Sequence, residues 1–452
     1  MTRAWLAILI ALAFAPEGRA DLPPGYGGTI RVIAPEPLRV PDPTQVGSLF
    51  EATVADAVFD PLERLLDGEP SLTEDGQLEL TLKQGMRRHD RRPLRANDLA
   101  IHLRRLARRG PSWWLAPLAV DHGRPAIEVV DDHTLRLRPA VEGTDLRPLL
   151  ALRPLAYRAA VGTGTGPYRP RMVGDELRLF QFRSALRGAP YLRDWRFLPP
   201  RPRDDDLRAL VLGEADGSFS GDSLHGRRPE RATAPHPFPE IAPVLLVPNP
   251  HRVSDQWRAL VGALRRDRLA RVGFRPSDTL AGGLPSPQVG PPRRALSGEL
   301  TLLVREGDRL GEELGRALAA LVDEQGARLR IESVPVDRWA DAIHRGRWHL
   351  RVAEVPPPLP VAHPLARVAL LAAAHAATGD QTRARAVWTA GVAGTLDEAG
   401  EQRSALALGA AVLGRRRLEL HLDQEVRDVR FDAAGRLRLG DAHLPRARTE
   451  TP

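Results

Sequence analysis

The 452-residue chain contains no cysteine. That excludes disulfides, thiolate metal sites, a cysteine nucleophile and a lipid-bearing cysteine anchor. Lysine is nearly absent too: Lys83 is the only one, so the formal net charge of +8 is carried almost wholly by arginine. Aromatic residues make up 5%, and no basic tract is interleaved with Phe or Tyr for base stacking. The positive charge therefore reads as a solvated arginine-rich surface, and nucleic-acid binding is not expected. The 13 histidines include no His-Glu-x-x-His or comparable spacing, so neither a metal site nor a cofactor nor an enzymatic activity is expected. No segment is apolar over the roughly twenty residues needed to span a bilayer.

What is present suits a soluble globular protein of two or three domains or lobes, with 42% apolar and 27% charged residues. Residues 1–20 read as a secretory signal: Arg3, an apolar core over 5–14, and Gly18-Arg19-Ala20 as the cleavage site. The expectation is a periplasmic protein beginning at Asp21, with an uncleaved anchor as the alternative.

Residues 75–109 hold the densest pattern. Leu78, Leu80 and Leu82 alternate with polar residues as in a half-buried strand. Leu99, Leu103 and Leu106 then fall on one face of a helix. Between them lies a turn region carrying His89-Asp90 and Pro93. Asp75, Gly76, Leu82, Gly85, His89, Asp90, Pro93, Ala96 and Asp98 stand in register with a segment of the family 5 extracellular solute-binding proteins, the peptide- and nickel-binding proteins of bacterial importers. The stretch resembles that family and departs from it at Arg88, where the family has Phe, and at Arg91, where it has Gly. A left-handed turn residue is less comfortable with the side chain of Arg91.

Further landmarks follow in the family's order. Gly27-Gly28-Thr29-Ile30-Arg31-Val32 is similar to its first strand, and residues 127–137 to a hairpin around Asp131-Asp132-His133. Gly164-Thr165-Gly166-Pro167-Tyr168 is similar to a tight turn feeding a strand, and residues 207–216 to a short helix ending in Gly-Glu-x-Asp. Residues 48–66 have helical spacing that Pro61 should kink or end. Residues 217–243 read as loop, 242–249 as a short apolar strand where the family crosses between lobes, and 258–272 as a helix. Strand and helix alternate over 299–355, which implies a parallel sheet. The tail is helical over most of 364–413, with strands expected at 418–422 and 426–439.

The resemblance implies an α/β, type II periplasmic-binding-protein fold, two lobes with an extra inserted subdomain in the first lobe. Its divisions would be 21–60 for the first part of lobe I, 61–155 for the insertion, 156–243 for the rest of lobe I, 244–360 for lobe II, and 361–452 for a return to lobe I and a tail. It also implies a monomer that captures a small-molecule or peptide ligand and delivers it to an ABC permease in the inner membrane. Candidate ligand contacts are Gln45, Ser48, Trp113, Trp114, Trp348, Arg351 and Glu354. Peptide-binding members carry an Asp that pairs with the peptide ammonium. The matching stretch here, 348–358, has none; Glu354 is the nearest carboxylate, and Arg351 could serve an anionic group. The alternative is therefore a degenerate solute-binding fold acting as a non-transport interaction or sensory subunit.

Overall fold

The alternation at residues 29–33 forms β1 (Thr29–Ile33), whose Ile30, Val32 and Ile33 are fully buried. The structure is a computed structural model and describes residues 24–109, 112–220, 236–249, 296–431 and 436–445, with isolated positions between 251 and 276. The expected signal and most of the helix expected at 258–272 lie outside the described residues. Ser48 caps α1 (Leu49–Val58) by accepting from the Glu51 N–H, and the helix has ended before Pro61.

The inserted unit comprises β2 (Leu78–Thr81), α2 (Ala96–Arg109), β3 (Ile127–Val129) and β4 (Thr134–Leu137), with Leu80, Leu99 and Leu103 in one core. Next come β5 (Tyr168–Val173), β6 (Glu176–Gln181), β7 (Asp194–Leu198), α3 (Arg203–Val211) and β8 (Gly217–Ser220). After β9 (His236–Pro248) the second lobe carries β10 (Glu299–Arg305), α4 (Arg309–Asp323), β11 (Arg328–Val334), α5 (Trp339–Arg345) and β12 (Leu350–Glu354). Three helices, α6 (Ala366–Thr378), α7 (Gln381–Val392) and α8 (Glu398–Leu406), precede the returning strand β13 (Ala411–Leu422).

One sheet runs through both lobes in the order β11-β10-β12-β9-β13-β8-β1-β7-β6-β5. β10 lies parallel to both β11 and β12, as strand-helix alternation requires. β9 and β13 are the antiparallel pair that crosses between lobes. On β9, Ala242 belongs to the first-lobe core and Val244 to the second; on β13, Leu418 belongs to the first and Leu413 to the second. A third apolar cluster joins the inserted unit to α6 and α7 through Leu103, Trp114, Leu371 and Trp388. Residues 366–406 thus pack on the insertion before the chain reaches the first-lobe sheet at β13.

Two sequence expectations fail. Residues 217–220 and 236–243 are strand, not loop: the first pairs as β8 with β1 and β13, and in the second Pro237, Pro239 and Pro243 mimic a loop, the ladder accommodating them by slipping at Pro237/Ile241 and again at Val244/Leu245. Residues 426–439 form no strand among the described residues, only isolated bridges such as Phe431–Leu437. Asp428, at φ 53°, turns the chain out of the extended region there.

Candidate ligand cleft

A charged layer separates the two lobes. From the first lobe come Glu36, Ser48 and Glu51, all buried. From the second come Arg305, at the end of β10, and Glu354, at the end of β12. The Glu354 carboxylate accepts from the Leu49 N–H at 2.8 Å and from Arg416, on β13, at 2.7 Å. This places an anion on the first turn of α1, where unpaired amides and the helix dipole favour one. Arg305 reaches across to Glu51 at 3.1 Å and to the Gly47 carbonyl at 3.3 Å. Glu51 also accepts from Arg39 at 2.8 Å and from the Gly47 N–H at 2.6 Å.

Burial, and then the charge of Glu51, push the Glu36 carboxyl from its ordinary 4.5 up to about 8. The protonated form can share the Ser48 hydroxyl bond. Burial works against ionising Glu51 as well, but Arg305 and Arg39 outweigh it and hold its pKa below the ordinary value. Desolvation of Arg305 and Arg416 is likewise outweighed, chiefly by Glu51 for the first and Glu354 for the second, so both stay charged.

Beside this layer lies a cavity of about 210 Å³ bounded by the first lobe at Thr44 and Val46, the insertion at Trp113 and Trp114, the second lobe at Glu354, and α6 at Ala377. Arg153 closes one side. It is buried, pairs with Asp56 at 2.9 Å and donates to the Pro357 carbonyl, tying the insertion to both lobes. The Asp56 carboxyl is penalised by burial but held below its ordinary pKa by Arg153 and Arg436. A larger cavity, of about 280 Å³, sits within the first lobe among Tyr26, Asp60, Thr165 and Tyr191 and touches no second-lobe residue.

Of the residues proposed from sequence, Trp113, Trp114 and Glu354 share the wall of the interlobe cavity. The other four do not line it. Ser48 is occupied as helix cap and partner of Glu36. Gln45 is exposed, and its backbone carbonyl accepts from Arg39. Trp348 points into a separate apolar cluster with Leu303 and Val334, and its indole N–H donates to the Ile343 carbonyl at 3.1 Å. Period-two alternation accounts for this, because Trp348 sits two residues before β12 and its direction is set by the second-lobe core. Arg351 lies behind the wall, donating to the carbonyl of Ala377 near the C-terminal end of α6. Arg153, Arg305 and Arg416 were missed, since arginine is too common in this chain for any one to stand out.

His89 is structural. Its Nδ1 accepts from the Gly164 N–H at 3.1 Å, which leaves Nε2 to donate to the Gly166 carbonyl at 2.9 Å. The insertion's turn region thereby grips the Gly-rich turn of the first lobe. That turn must be glycine: a Cβ at Gly166 would lie 2.7 Å from the Val58 carbonyl carbon at the end of α1. Arg91 adopts φ 67°, the left-handed conformation that its replacement of Gly makes costly. Among the described residues, no group of three or more His, Asp or Glu side chains is placed to hold a metal ion, and no helix is long and apolar enough to cross a membrane.

The sequence matches no family profile and no curated protein. Solved structures do match. The Escherichia coli murein tripeptide binding protein MppA superposes with a TM-score of 0.70 at 14% identity, covering 94% of this chain and 99% of its own. NikA from Staphylococcus aureus, in complex with Ni(L-His)2, gives 0.69 at 12% identity over 92% of this chain and 99% of its own. The ABC transporter-associated periplasmic binding protein DppA from Helicobacter pylori, in complex with the peptide STSA, gives 0.67 at 12% identity over 93% and 99%. The chain has the two-lobed fold of these binding proteins.

Proposed function

We propose that the protein is a divergent family 5 solute-binding protein of an ABC importer. Exported to the periplasm as a monomer, it captures a small peptide-like or related solute between its lobes and delivers it to an inner-membrane permease. One observation carries this reading: first lobe, insertion and second lobe jointly wall a single cavity, with Trp113, Trp114 and Glu354 in it. A solute touching all three sides binds the shut form better than the open one and so shifts the balance between them. The shut surface is what a permease would recognise. Purified protein should gain thermal stability with its solute, by about 2.7 kcal/mol at a hundredfold excess over Kd. A periplasmic extract, fractionated and screened by thermal shift, would find that solute, and the absence of any stabilising fraction would count against transport.

The charged layer favours a second reading. Arg305–Glu51 and Glu354–Leu49 already latch the lobes through the protein's own groups, as suits a non-transport interaction or sensory subunit. A particle whose small-angle scattering is unchanged by any solute would support that reading over the first.

A further inference from the structure

The turn region that carries His89 is a tight hairpin with a basic tip. The Leu94 N–H donates to the Met86 carbonyl at 3.0 Å and the Arg88 N–H to the Arg92 carbonyl at 2.9 Å. Arg87, Arg91 and Arg92 are exposed on it, and the Arg87 guanidinium donates to the Arg91 carbonyl at 3.0 Å. The carboxylates beside them are committed within the hairpin's own base: Arg88 holds Asp90 at 2.8 Å and Asp98 at 3.1 Å. Among the described residues, no carboxylate lies within ion-pair distance of Arg87, Arg91 or Arg92. Other surface arginines of the insertion are matched. Arg95 stands 3.2 Å from Asp132 and Arg147 2.9 Å from Asp145, and Arg138 pairs with Asp121. The unmatched charge is thus gathered at residues 87–92, where Arg91 is kept at φ 67° in a conformation that glycine would adopt without strain.

We infer that the hairpin over 86–94 is a docking surface for the anionic headgroups of a phospholipid membrane. Guanidinium forks match phosphate oxygens in pairs, and each cation at an anionic bilayer adds to binding. The place where the N-terminal segment joins the fold selects the membrane over an acidic protein. His89 bonds Gly164 and Gly166 from one side of the Gly-rich turn. Thr165 and Pro167, of the same turn, line a cavity together with Tyr26. Pro24 and Gly25, just before Tyr26, pair with Pro445 and Leu444. The expected signal, or the anchor that is its alternative, lies immediately upstream. Hairpin and membrane-derived end of the chain therefore flank one turn of the first lobe. The inference rests on the export part of the reading above and is independent of the solute.

Vesicle sedimentation tests this on the exported chain from Asp21. One set of vesicles holds phosphatidylglycerol and phosphatidylcholine in equal parts, the other phosphatidylcholine alone. The mixed vesicles should bind the protein in low salt and release it in high salt, and the neutral ones should not bind it. Arg87→Gln and Arg92→Gln should each weaken binding about fivefold. Arg91→Gly should weaken it as far while raising the melting temperature, since it removes a charge and relieves the left-handed strain together. A hairpin with a purely structural role predicts that gain in stability with vesicle binding unchanged, and this result overturns the inference. Equal binding to both vesicle types overturns it, as does no binding to either. Polyglutamate stands in for an acidic protein surface; capture of it more tightly than of the mixed vesicles assigns the hairpin to a protein partner and overturns the membrane. Each of these failures leaves the solute-binding reading to be judged by its own thermal-shift screen.

Discussion

The insertion and the first lobe both meet the second half of the molecule, by opposite chemistry. The insertion meets α6 and α7 through hydrocarbon: Trp114 packs edge-on to Trp388 with ring centroids 5.2 Å apart, and the Trp388 indole donates to the Trp114 carbonyl at 3.0 Å. The first lobe meets the second through Glu36, Glu51, Arg305, Glu354 and Arg416. Parting an apolar joint exposes surface at about 25 cal/mol per Å² with nothing gained in return. Parting a charged joint lets water rehydrate each ion, which offsets much of the lost attraction. Insertion and helices are therefore built to stay together, and the two lobes to come apart. Opening of the cleft should follow the charged layer.

The largest expected effect is at the apolar joint. Trp388→Ala should lower the unfolding free energy by about 3–5 kcal/mol in urea titrations; a loss below 1 kcal/mol would mean that this joint is not a core. Arg305→Ala should cost less, about 2 kcal/mol, because the lobes can separate and hydrate Glu51. Its signature is a larger radius of gyration by small-angle scattering, and an unchanged particle would show the lobes to be held elsewhere.

The smallest effect separates the joints by pH. The folded-state pKa of Glu36 is raised from 4.5 to about 8, so its contribution is complete below 4.5 and is lost as pH rises toward 8. His102 and His375, in α2 and α6, are held neutral by burial, with pKa values lowered to about 4 from 6.5. Their contribution is complete above 6.5 and is lost as pH falls toward 4. The charged joint should weaken in alkali and the apolar one in acid. Glu36→Gln should flatten the alkaline limb alone, as followed by thermal melts between pH 5 and 9; a variant with the wild-type slope would refute the assignment to Glu36.

Much of the fold was legible because it rests on local signals. The Leu78–Leu82 alternation, the leucine stripe of α2 and the strand-helix alternation after Glu299 are periodicities set by which face is buried. The strain at Arg91 was legible from one missing glycine. The lobe-crossing half of β9 was legible as the apolar run from Ala242, but its first half, from His236, was not, since its prolines mask a strand tolerated through ladder slips. The charged layer was not either: Glu36, Glu51, Arg305, Glu354 and Arg416 come from five separate segments, and no spacing rule joins them. The aromatic pair at 113–114 was visible as a candidate wall, whereas the direction of Trp348 depended on a core that only tertiary packing defines.

The ring of His89 has both nitrogens committed to backbone, one accepting from Gly164 and one donating to Gly166. Protonation would turn the accepting nitrogen into a donor facing another donor, and burial already disfavours that charge. The rivet between insertion and first lobe is thus tautomer-specific: it holds above the ordinary histidine pKa and loosens in acid, giving this junction a built-in sensitivity to the acidity around it.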